Sequence, residues 1–352
     1  MNIQTAISIV TIGAATLVGA PATTSTASTM PGDNGPIVFT LELPDSQQLQ
    51  VLDPVTGSIR TLAHRQGVDA SQADWSPSGR RLVFEAGVKD RAMIQMVRFD
   101  GTHRRTLRPG LSGFLGNPAF VPHSNLIVFE RNDPRTDDDS LWLMHRDGSH
   151  PRRLTTNPFP GQGGDTDPNV SPDGRTVSFV RISVIDNQQA LYSVRLDGSH
   201  LKRLIPYAAD VAVKHDCSPD GKHIVVSLNA NEGSRPHASA NVAILRPDGS
   251  HLRRLTHFKG RKLNALVGGY SPNGRWIVYR VETGDGEPTL PDGRYALMKV
   301  SPHGGEHVLV AAIEGRPRNI DWGPALATNE RDRRLQVPGM LRPAARLPRA
   351  RR

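Results

Sequence analysis

The sequence predicts an all-β fold, a six-bladed β-propeller of four-stranded antiparallel blades, and three observations support this prediction. A turn motif, exemplified by Ser76-Pro77-Ser78-Gly79, recurs about every 45 to 53 residues, the spacing expected of propeller blades. Its proline marks one repeat position: Pro77, Pro122, Pro172, Pro219, Pro272 and Pro324. A second turn, Asp-Gly, follows in four of the units and begins at Asp100, Asp147, Asp197 and Asp248.

Within each unit the order of these motifs predicts four strands. The inner strand enters the Ser-Pro-Asp-Gly turn, whose Ser, Pro and Gly suit the first, second and fourth positions of a type I turn. An apolar run such as Leu82 to Phe84 forms the second strand, and a third strand, such as Met93 to Phe99, leads to the Asp-Gly hairpin turn. The fourth strand ends on a leucine: Leu107, Leu154, Leu204 or Leu255.

A single four-stranded sheet cannot bury both of its faces, so the blades are expected to stack around a common axis. The residue before the turn serine would fill each interface: Trp75, Phe120, Val170, Cys217, Tyr270 and Trp322. The first strand, Pro36 to Phe39, has no turn before it, and Pro324 has no strand after it. We therefore expect residues 319–324 to be the inner strand of the blade formed by residues 36–62. This pairing of the amino- and carboxyl-terminal segments would close the ring and remove exposed sheet edges.

The repeat resembles that of the TolB family of β-propellers, whose WD40-like (PD40) unit has Trp-Ser-Pro-Asp-Gly, an apolar run, Asp-Gly and Arg-Arg-Leu-Thr. Residues 152–155 and 253–256 match the last element, and the likeness covers roughly residues 36–324. The third unit departs from the pattern, because residues 121–124 contain no glycine. TolB also has an amino-terminal domain. We expect that domain to be absent here, so the resemblance does not imply a role in a Tol–Pal complex.

The two ends of the chain predict segments outside the propeller. Residues 1–22 indicate a secretory signal peptide, with an apolar run from Ala6 to Ala20 and small residues for cleavage at 20–22, although a charged amino-terminal region is missing. A membrane anchor is the alternative. Residues 23–35 indicate a flexible spacer and residues 325–352 a disordered basic tail. We expect the protein to be exported: periplasmic, secreted or associated with the cell envelope.

The net charge of +9 is concentrated in the tail, where residues 331–352 contain eight arginines and one aspartate. Most of the positive charge therefore lies outside the propeller, and this distribution argues against specific nucleic-acid binding by it. In an exported protein the tail could contact an anionic lipid surface or a cell-wall polyanion. The alternative is a solvated tail with no specific partner.

One face of the disc is predicted to bind a ligand. Both turn motifs fall on one face, whereas longer connections fall on the other: residues 131–140, 156–167, 229–240, 257–268 and 283–294. On the second face we expect polar residues at the mouth of the central channel: Asp74, Asp167, Asn169, His215, Asp216, Arg318 and Asp321. Carboxylates and a histidine around one axis could bind a cation, but no diagnostic ligand spacing is present. We therefore predict no metal and no cofactor.

Other residues that suggest chemistry have structural explanations. Cys217 is the only cysteine and stands at an interface position, so we expect it to be buried. The histidines that follow Asp-Gly turns belong to different blades and should not share a metal: His103, His150, His200 and His251. Basic pairs such as Arg152-Arg153 lie on outermost strands, where charge opposes edge-to-edge pairing, although a basic girdle for polyanions is the alternative.

The chain shows no recognisable catalytic motif, and no catalytic residue is predicted. Residues 269–273 lack the second glycine of a nucleophile elbow. We therefore expect a non-catalytic, monomeric scaffold that binds a protein or an envelope polysaccharide. The alternative is a propeller-type lyase or glycoside hydrolase that uses Asp74, His215, Asp216 or Asp321 at the channel mouth.

Overall fold

The computed structural model describes residues 31–63, 68–88, 91–158, 164–183, 188–228, 239–260 and 262–326. The predicted signal peptide, most of the predicted spacer, and the tail beyond residue 326 lie outside the described residues. All of the predicted strands have described residues, so the architecture can be followed around the whole ring.

The described residues form strands that are numbered in chain order. The first seven are β1 (Asn34–Leu43), β2 (Ser46–Leu52), β3 (Ile59–Ala63), β4 (Asp69–Trp75), β5 (Arg81–Val88), β6 (Arg91–Arg98) and β7 (Arg105–Thr106). The next eight are β8 (Phe114–Phe120), β9 (Leu126–Asp133), β10 (Asp138–His145), β11 (Arg152–Arg153), β12 (Asp165–Val170), β13 (Thr176–Ile182), β14 (Gln189–Arg195) and β15 (Lys202–Ile205). The last nine are β16 (Val211–Cys217), β17 (Ile224–Leu228), β18 (Asn241–Leu245), β19 (Arg253–Arg254), β20 (Leu263–Tyr270), β21 (Ile277–Thr283), β22 (Tyr295–Val300), β23 (His307–Ile313) and β24 (Arg316–Pro324).

These strands form six four-stranded antiparallel sheets, which are the six predicted blades. The first blade has the order β24-β1-β2-β3, and each later blade uses four consecutive strands. Ile37 lies opposite Trp322, and Val38 lies opposite Asp321. The prediction that the two ends of the propeller segment share one blade is therefore confirmed. The helical content of the described residues is limited to one short 3₁₀ turn, Tyr207–Ala209.

The core lies between neighbouring blades. The predicted interface residues are all buried: Trp75, Phe120, Val170, Cys217, Tyr270 and Trp322. Trp75 packs in one cluster with Val38 of the first blade and Phe84 of the second. A Cβ atom on Gly323 would lie 2.5 Å from the Trp75 ring, so only glycine allows this close approach. Burial of apolar side chains between blades therefore holds the sheets together.

The turn serines have a repeated structural role. The Ser171 hydroxyl donates to Asp173 at 2.7 Å and accepts from the backbone N–H of Thr176 at 2.9 Å. The third unit solves the same turn differently, as its departure from the pattern requires. There Ser124 accepts from the N–H of Leu126, and His123 takes the left-handed conformation with φ of 55°.

Basic residues of the outer strands of the first five blades each connect their blade to the next at the rim. Arg105 donates to the carbonyl of Arg146 at 3.0 Å, and Arg152 donates to the carbonyl of Leu196 at 2.8 Å. Equivalent contacts join Arg60 to Phe99, Lys202 to Asp248 and Arg253 to Pro302. Four of the acceptors lie in or beside the Asp-Gly turn of the following blade, and the fifth, Pro302, lies in the equivalent turn of the sixth blade. The recurring basic residues therefore have a structural function between blades.

Strand direction defines two faces of the disc. The turn face carries the Ser-Pro-Asp-Gly and Asp-Gly turns, and the loop face carries the connections from second to third strands and from blade to blade. Three predicted loops are shorter than expected, since β12 begins within residues 156–167 and β20 begins within residues 257–268. Residues 131–140 were expected to be irregular, but β9 and β10 extend into them and leave only residues 134–137 between the strands. Asn132 and Asp139 pair across this hairpin, which lengthens both strands.

Candidate site on the propeller axis

Bulges in the inner strands place polar side chains on the propeller axis. In four blades the bulge holds a residue with left-handed φ, between 44° and 53°: Gln72, Asn117, Asp167 and Asn319. Asn and Asp tolerate this conformation better than most residues, which helps to explain why this repeat position is polar. Lys214 of the fifth blade lies within the corresponding register shift of β16. These five residues line a cavity on the axis.

The axial cavity is small. Its volume available to the centres of water-sized molecules is about 20 Å³, and about 10–15 Å³ is enough for one water. This pocket among the inner strands is therefore too small for a sugar ring.

Carboxylate and amide side chains around the axis connect neighbouring blades. Asp321 accepts a hydrogen bond from the backbone N–H of Trp75 at 3.0 Å, and Asp74 accepts one from Phe120 at 2.8 Å. Two further contacts of the same kind run from Cys217 to Asn169 and from Tyr270 to Asp216, at 3.2 and 2.7 Å. We call these four acceptors the axial clamps. Ala119 and Gly269 occupy the position in the third and sixth blades and carry no acceptor side chain.

The structure brings most of the predicted site residues together but changes their position along the axis. They were expected at the starts of the inner strands, near the loop face. Asp74, Asn169 and Asp216 are instead the penultimate residues of β4, β12 and β16, beside the turn face. The inner strands are long enough to separate these residues from the strand starts. Asp321 has the same clamp contact, while Asp167 lies three residues before the end of its strand.

Arg318 does not join the axial group. It is the third residue of β24, at the end near the loop face, and its guanidinium lies 3.1 Å from the carboxylate of Glu42. Glu42 also contacts Arg316 at 3.4 Å, and Arg316 binds the buried Glu282 at 2.8 Å. Arg280 completes this network with a 2.9 Å contact to Glu282. The network joins the sixth blade to the first across the ring closure.

The charges of this network shift the pKa of its buried acid. Burial opposes ionisation of Glu282, but hydrogen bonds and charges from Arg316 and Arg280 outweigh it and lower the pKa of Glu282. The carboxylate therefore remains ionised and paired at neutral pH. Arg318 therefore belongs to the ion-pair network at the ring closure and lies apart from the axial aspartates with which the sequence grouped it.

Burial and mutual repulsion disfavour the ionised form of the axial aspartates. Burial, together with the charge of Asp321, raises the pKa of Asp74 well above its usual range. Burial also raises the pKa of Asp321 to about 6, although Lys214 opposes this shift. Burial alone would lower the pKa of Lys214, but nearby carboxylates, with Asp167 first among them, outweigh burial and raise it. Lys214 therefore supplies positive charge among the axial carboxylates, for which the sequence analysis predicted no metal.

His215 is fully buried and lies between two other polar side chains. Its Nδ1 lies 3.3 Å from a carboxylate oxygen of Asp167, and its Nε2 lies 2.9 Å from the hydroxyl of Ser178. Ser178 belongs to β13, the second strand of the fourth blade. Its hydroxyl also lies 3.2 Å from the carbonyl oxygen of Asn169. The histidine thus connects an axial residue to the interface between the fourth and fifth blades.

A second group of carboxyls, from the buried Glu130 and the half-buried Glu85, lies midway along the second strands of the third and second blades. Burial raises the pKa of Glu130 to about 8, despite hydrogen bonds from Thr166 and from the Asn117 amide, the latter at 2.6 Å. Burial likewise raises the pKa of Glu85 to about 7, and the backbone N–H of Asn117 partly opposes this shift. Glu130 is therefore largely protonated at neutral pH.

Sequence reasoning missed Lys214, Ser178 and Glu130. Lys214 had a detectable signal, since the position four residues before the turn serine is polar in most units: Gln72, Asn117, Asp167, Lys214 and Asn319. Ser178 also had one, because it follows Val177 at a position where the other blades have valine. Glu130 had no such signal, because its pKa depends on contacts from distant parts of the chain.

The described residues provide no arrangement of three or more His, Cys, Asp or Glu side chains suited to holding a metal ion. A membrane-crossing helix is likewise not found in the described part of the chain, where no helix has the necessary length and apolar character.

Comparisons with known proteins identify the family. The family model of the TolB β-propeller domain (PD40) matches residues 89–326, which is more than half of the chain. The crystal structure of TolB from Acinetobacter baumannii is similar in fold, with a TM-score of 0.64 and 20% sequence identity, over 84% of this chain and 68% of that one.

Two relatives match shorter parts of the chain. The uncharacterized peptidase YuxL of Bacillus subtilis is 28% identical over 198 residues, which are 46% of this chain and 29% of that protein. The uncharacterized protein Atu1656 of Agrobacterium fabrum is 31% identical over 137 residues, which are 37% of this chain and 45% of that protein. The chain therefore matches less than half the length of either relative. Through its repeats, its six-bladed architecture and the family match, the chain belongs to the TolB β-propeller domain family.

Proposed function

We propose that this protein is an exported β-propeller scaffold that binds a protein or an envelope polysaccharide through its loop face. The observation that carries the proposal is the use of the axial side chains. Asp74, Asn169, Asp216 and Asp321 each accept a hydrogen bond from the next blade, and the axial cavity has room for about one water. A macromolecular ligand would therefore meet the propeller at its surface.

The loop face offers longer connections than the turn face. Among the connections between second and third strands that the structure describes throughout, the longest belongs to the sixth blade, at residues 284–294. Binding residues are often found on irregular loops that a rigid scaffold holds in place. We therefore place the binding surface on the loop face around this loop of the sixth blade.

The sixth-blade loop is held in a defined shape. The Thr283 hydroxyl accepts from the N–H of Glu287 at 3.0 Å, and the Tyr295 hydroxyl donates to the carbonyl of Gly286 at 2.8 Å. Gly286 and Gly293 adopt left-handed φ values of 84° and 76° at its two turns. A loop fixed in this way loses little conformational entropy when it binds a partner, which favours affinity.

Capture of partners from the native envelope fraction tests the proposal. The bait is the full chain, and the variant replaces residues 285–293 with a short Gly-containing turn. We expect the variant to retain its thermal unfolding transition and to lose at least about tenfold in affinity for the captured partner, which corresponds to about 1.4 kcal/mol. The matched control is Lys222→Ala, which removes an exposed side chain on the turn face. Equal capture by wild type and the loop variant would contradict the proposed surface.

Export is part of the same proposal and rests on the apolar run from Ala6 to Ala20. Cell fractionation of the full chain and of a chain lacking residues 2–22 tests it, and export of both to the same extent would contradict it. We further propose that the protein is a monomer with no specific nucleic-acid partner. Contact of the arginine-rich tail with an anionic surface is tested by truncation after Pro324, which should weaken binding to anionic vesicles and reduce its salt dependence.

A lyase or glycoside hydrolase remains the second candidate, and one observation favours it. Acid catalysis at neutral pH needs a carboxyl group with a raised pKa, and the pKa of the half-buried Glu85, midway along β5, rises to about 7. In an enzyme of this kind, Glu85→Gln would abolish turnover of an envelope polysaccharide. In the scaffold it would leave partner capture unchanged.

A further inference from the structure

The interface between the fourth and fifth blades differs chemically from the others. Ser178 stands where each of the other five blades has a valine: Val38, Val83, Val128, Val225 and Val278. His215 stands where the other blades have a residue without a titratable side chain: Ala73, Pro118, Pro168, Gly268 and Ile320. These two exceptions meet each other, with 2.9 Å between Nε2 and the hydroxyl oxygen. Polar groups in an otherwise apolar layer are costly to bury unless they pair.

A cleft of about 450 Å³ lies at the same interface and opens toward the turn face. Its wall includes Ser178 and Cys217, and the Cys217 sulfur lies 4.0 Å from the Ser178 hydroxyl. Cys217 takes the place of the aromatic side chains that fill several other interfaces, such as Trp75 and Tyr270. The cleft has the size of a small-molecule site, for which about 300–1,000 Å³ is usual.

We propose that Ser178, which lines this cleft, forms with the buried His215 and Asp167 an acyl-transfer site that hydrolyses small carboxylic esters. The proposal goes beyond the binding function of the loop face, because it concerns a different surface. Ser178 is the nucleophile, His215 the general base, and Asp167, whose carboxylate oxygen lies 3.3 Å from Nδ1, a positioning residue that acts on the imidazole through its charge. The rim of the cleft carries both signs of charge, from Arg195 and Asp220, and this favours uncharged esters.

The reaction balances without a further reactant except water. The Ser178 oxygen bonds to the acyl carbon while its proton passes to Nε2 of His215. The same proton then moves to the departing alkoxide, the ester bond breaks, and the alcohol leaves. A water molecule attacks the acyl-serine, gives its proton to His215, and the carboxylic acid leaves as Ser178 recovers its proton.

The hydroxyl of Ser178 has one proton and two acceptors, Nε2 of His215 and the carbonyl of Asn169. A proton directed to His215 gives an activated nucleophile. A proton directed to Asn169 gives a purely structural network, in which His215 donates to the serine. Reactivity of the serine distinguishes these two arrangements.

Labelling of the full chain with a fluorophosphonate probe, followed by peptide mass spectrometry, tests the proposal. We expect wild type to be labelled on Ser178, and labelling to fall at least about a hundredfold in His215→Gln. Ser178→Val restores the residue of the other five blades, so it should fold, and it should abolish labelling. The matched control is Ser193→Ala, which removes a hydroxyl from the same cleft that has no histidine beside it in the described contacts.

Two further readouts separate catalysis from structure. Hydrolysis of p-nitrophenyl acetate by wild type should exceed that by Ser178→Val, and Asp167→Asn should lower kcat while leaving KM nearly unchanged. Folded wild type that is not labelled, labelling that survives in Ser178→Val, or equal labelling in His215→Gln would each overturn the proposal. Any of these results would show that the three residues only hold the blades together.

Discussion

Removal of one axial clamp should destabilise the propeller strongly, and Asp216 gives the sharpest case. Asp216 is 2% exposed, accepts from the N–H of Tyr270 at 2.7 Å and accepts from the Asn169 amide at 3.1 Å. Asp216→Ala leaves both donors buried without this acceptor. Each unsatisfied buried donor costs about 1–3 kcal/mol, so we expect the two donors together to lower the free energy of unfolding by about 2–6 kcal/mol.

One effect limits this loss, the repulsion that Asp216 exerts on the other axial aspartates. The charge of Asp216 raises the pKa of Asp74 and of Asp321, so its removal relieves some repulsion on the axis. Asp216→Asn keeps an acceptor oxygen and removes the charge, and we expect it to cost less than about 1 kcal/mol. Urea unfolding at pH 7 measures these values, with Glu306→Ala as an exposed carboxyl control that should change stability by less than about 0.5 kcal/mol. If Asp216→Ala matched the control, or if Asn were as harmful as Ala, the clamp explanation would be refuted.

The remaining predictions concern the response of the buried charges to pH. The pKa of Glu130 is about 8 in the folded state, against an ordinary value of 4.5. As pH rises from about 5 to 8, Glu130 loses its proton in the unfolded chain but keeps it in the folded one, so the free energy of unfolding falls. This fall amounts to about 1.4 kcal/mol per pH unit, or about 4 kcal/mol between pH 5 and pH 8. Urea unfolding at these two pH values measures it, and in Glu130→Gln the fall should disappear. A wild-type pH dependence that persists in Glu130→Gln would contradict the assignment. Lys214→Met removes the positive charge among the axial carboxylates and should cost about 2 kcal/mol at pH 8 but less at pH 5, where Asp74 and Asp321 hold their protons more fully. An equal loss of stability at both pH values, measured by the same method, would show that Lys214 acts through packing alone.

The blades and their order could be predicted because each depends on residues close together in sequence. Ser171 and Thr176 form their turn contact within five residues, and the Asp-Gly turns are equally local. Ring closure could also be predicted, because an unpaired first strand and an unpaired last turn have one simple solution. The pairing of Ile37 with Trp322 confirms it.

The site could be predicted only in part, because residue types do not show which partner each polar side chain contacts. The sequence grouped Asp74 and Arg318 on the axis, yet one accepts a hydrogen bond from Phe120 and the other contacts Glu42 near the loop face. Their different roles follow from their positions at opposite ends of inner strands. A repeat alignment gives the position but not the partner.

The sequence by itself determined the number of blades, the turns and the interface positions, since those follow from local turn chemistry and from the period of apolar runs. Only the tertiary structure decided how the polar residues are paired. The donor to Asp321 lies 246 residues away in the chain, and the partner of His215 lies 37 residues away in another blade. Charges and hydrogen bonds act through space, so their partners and their pKa values are fixed only when the ring has closed.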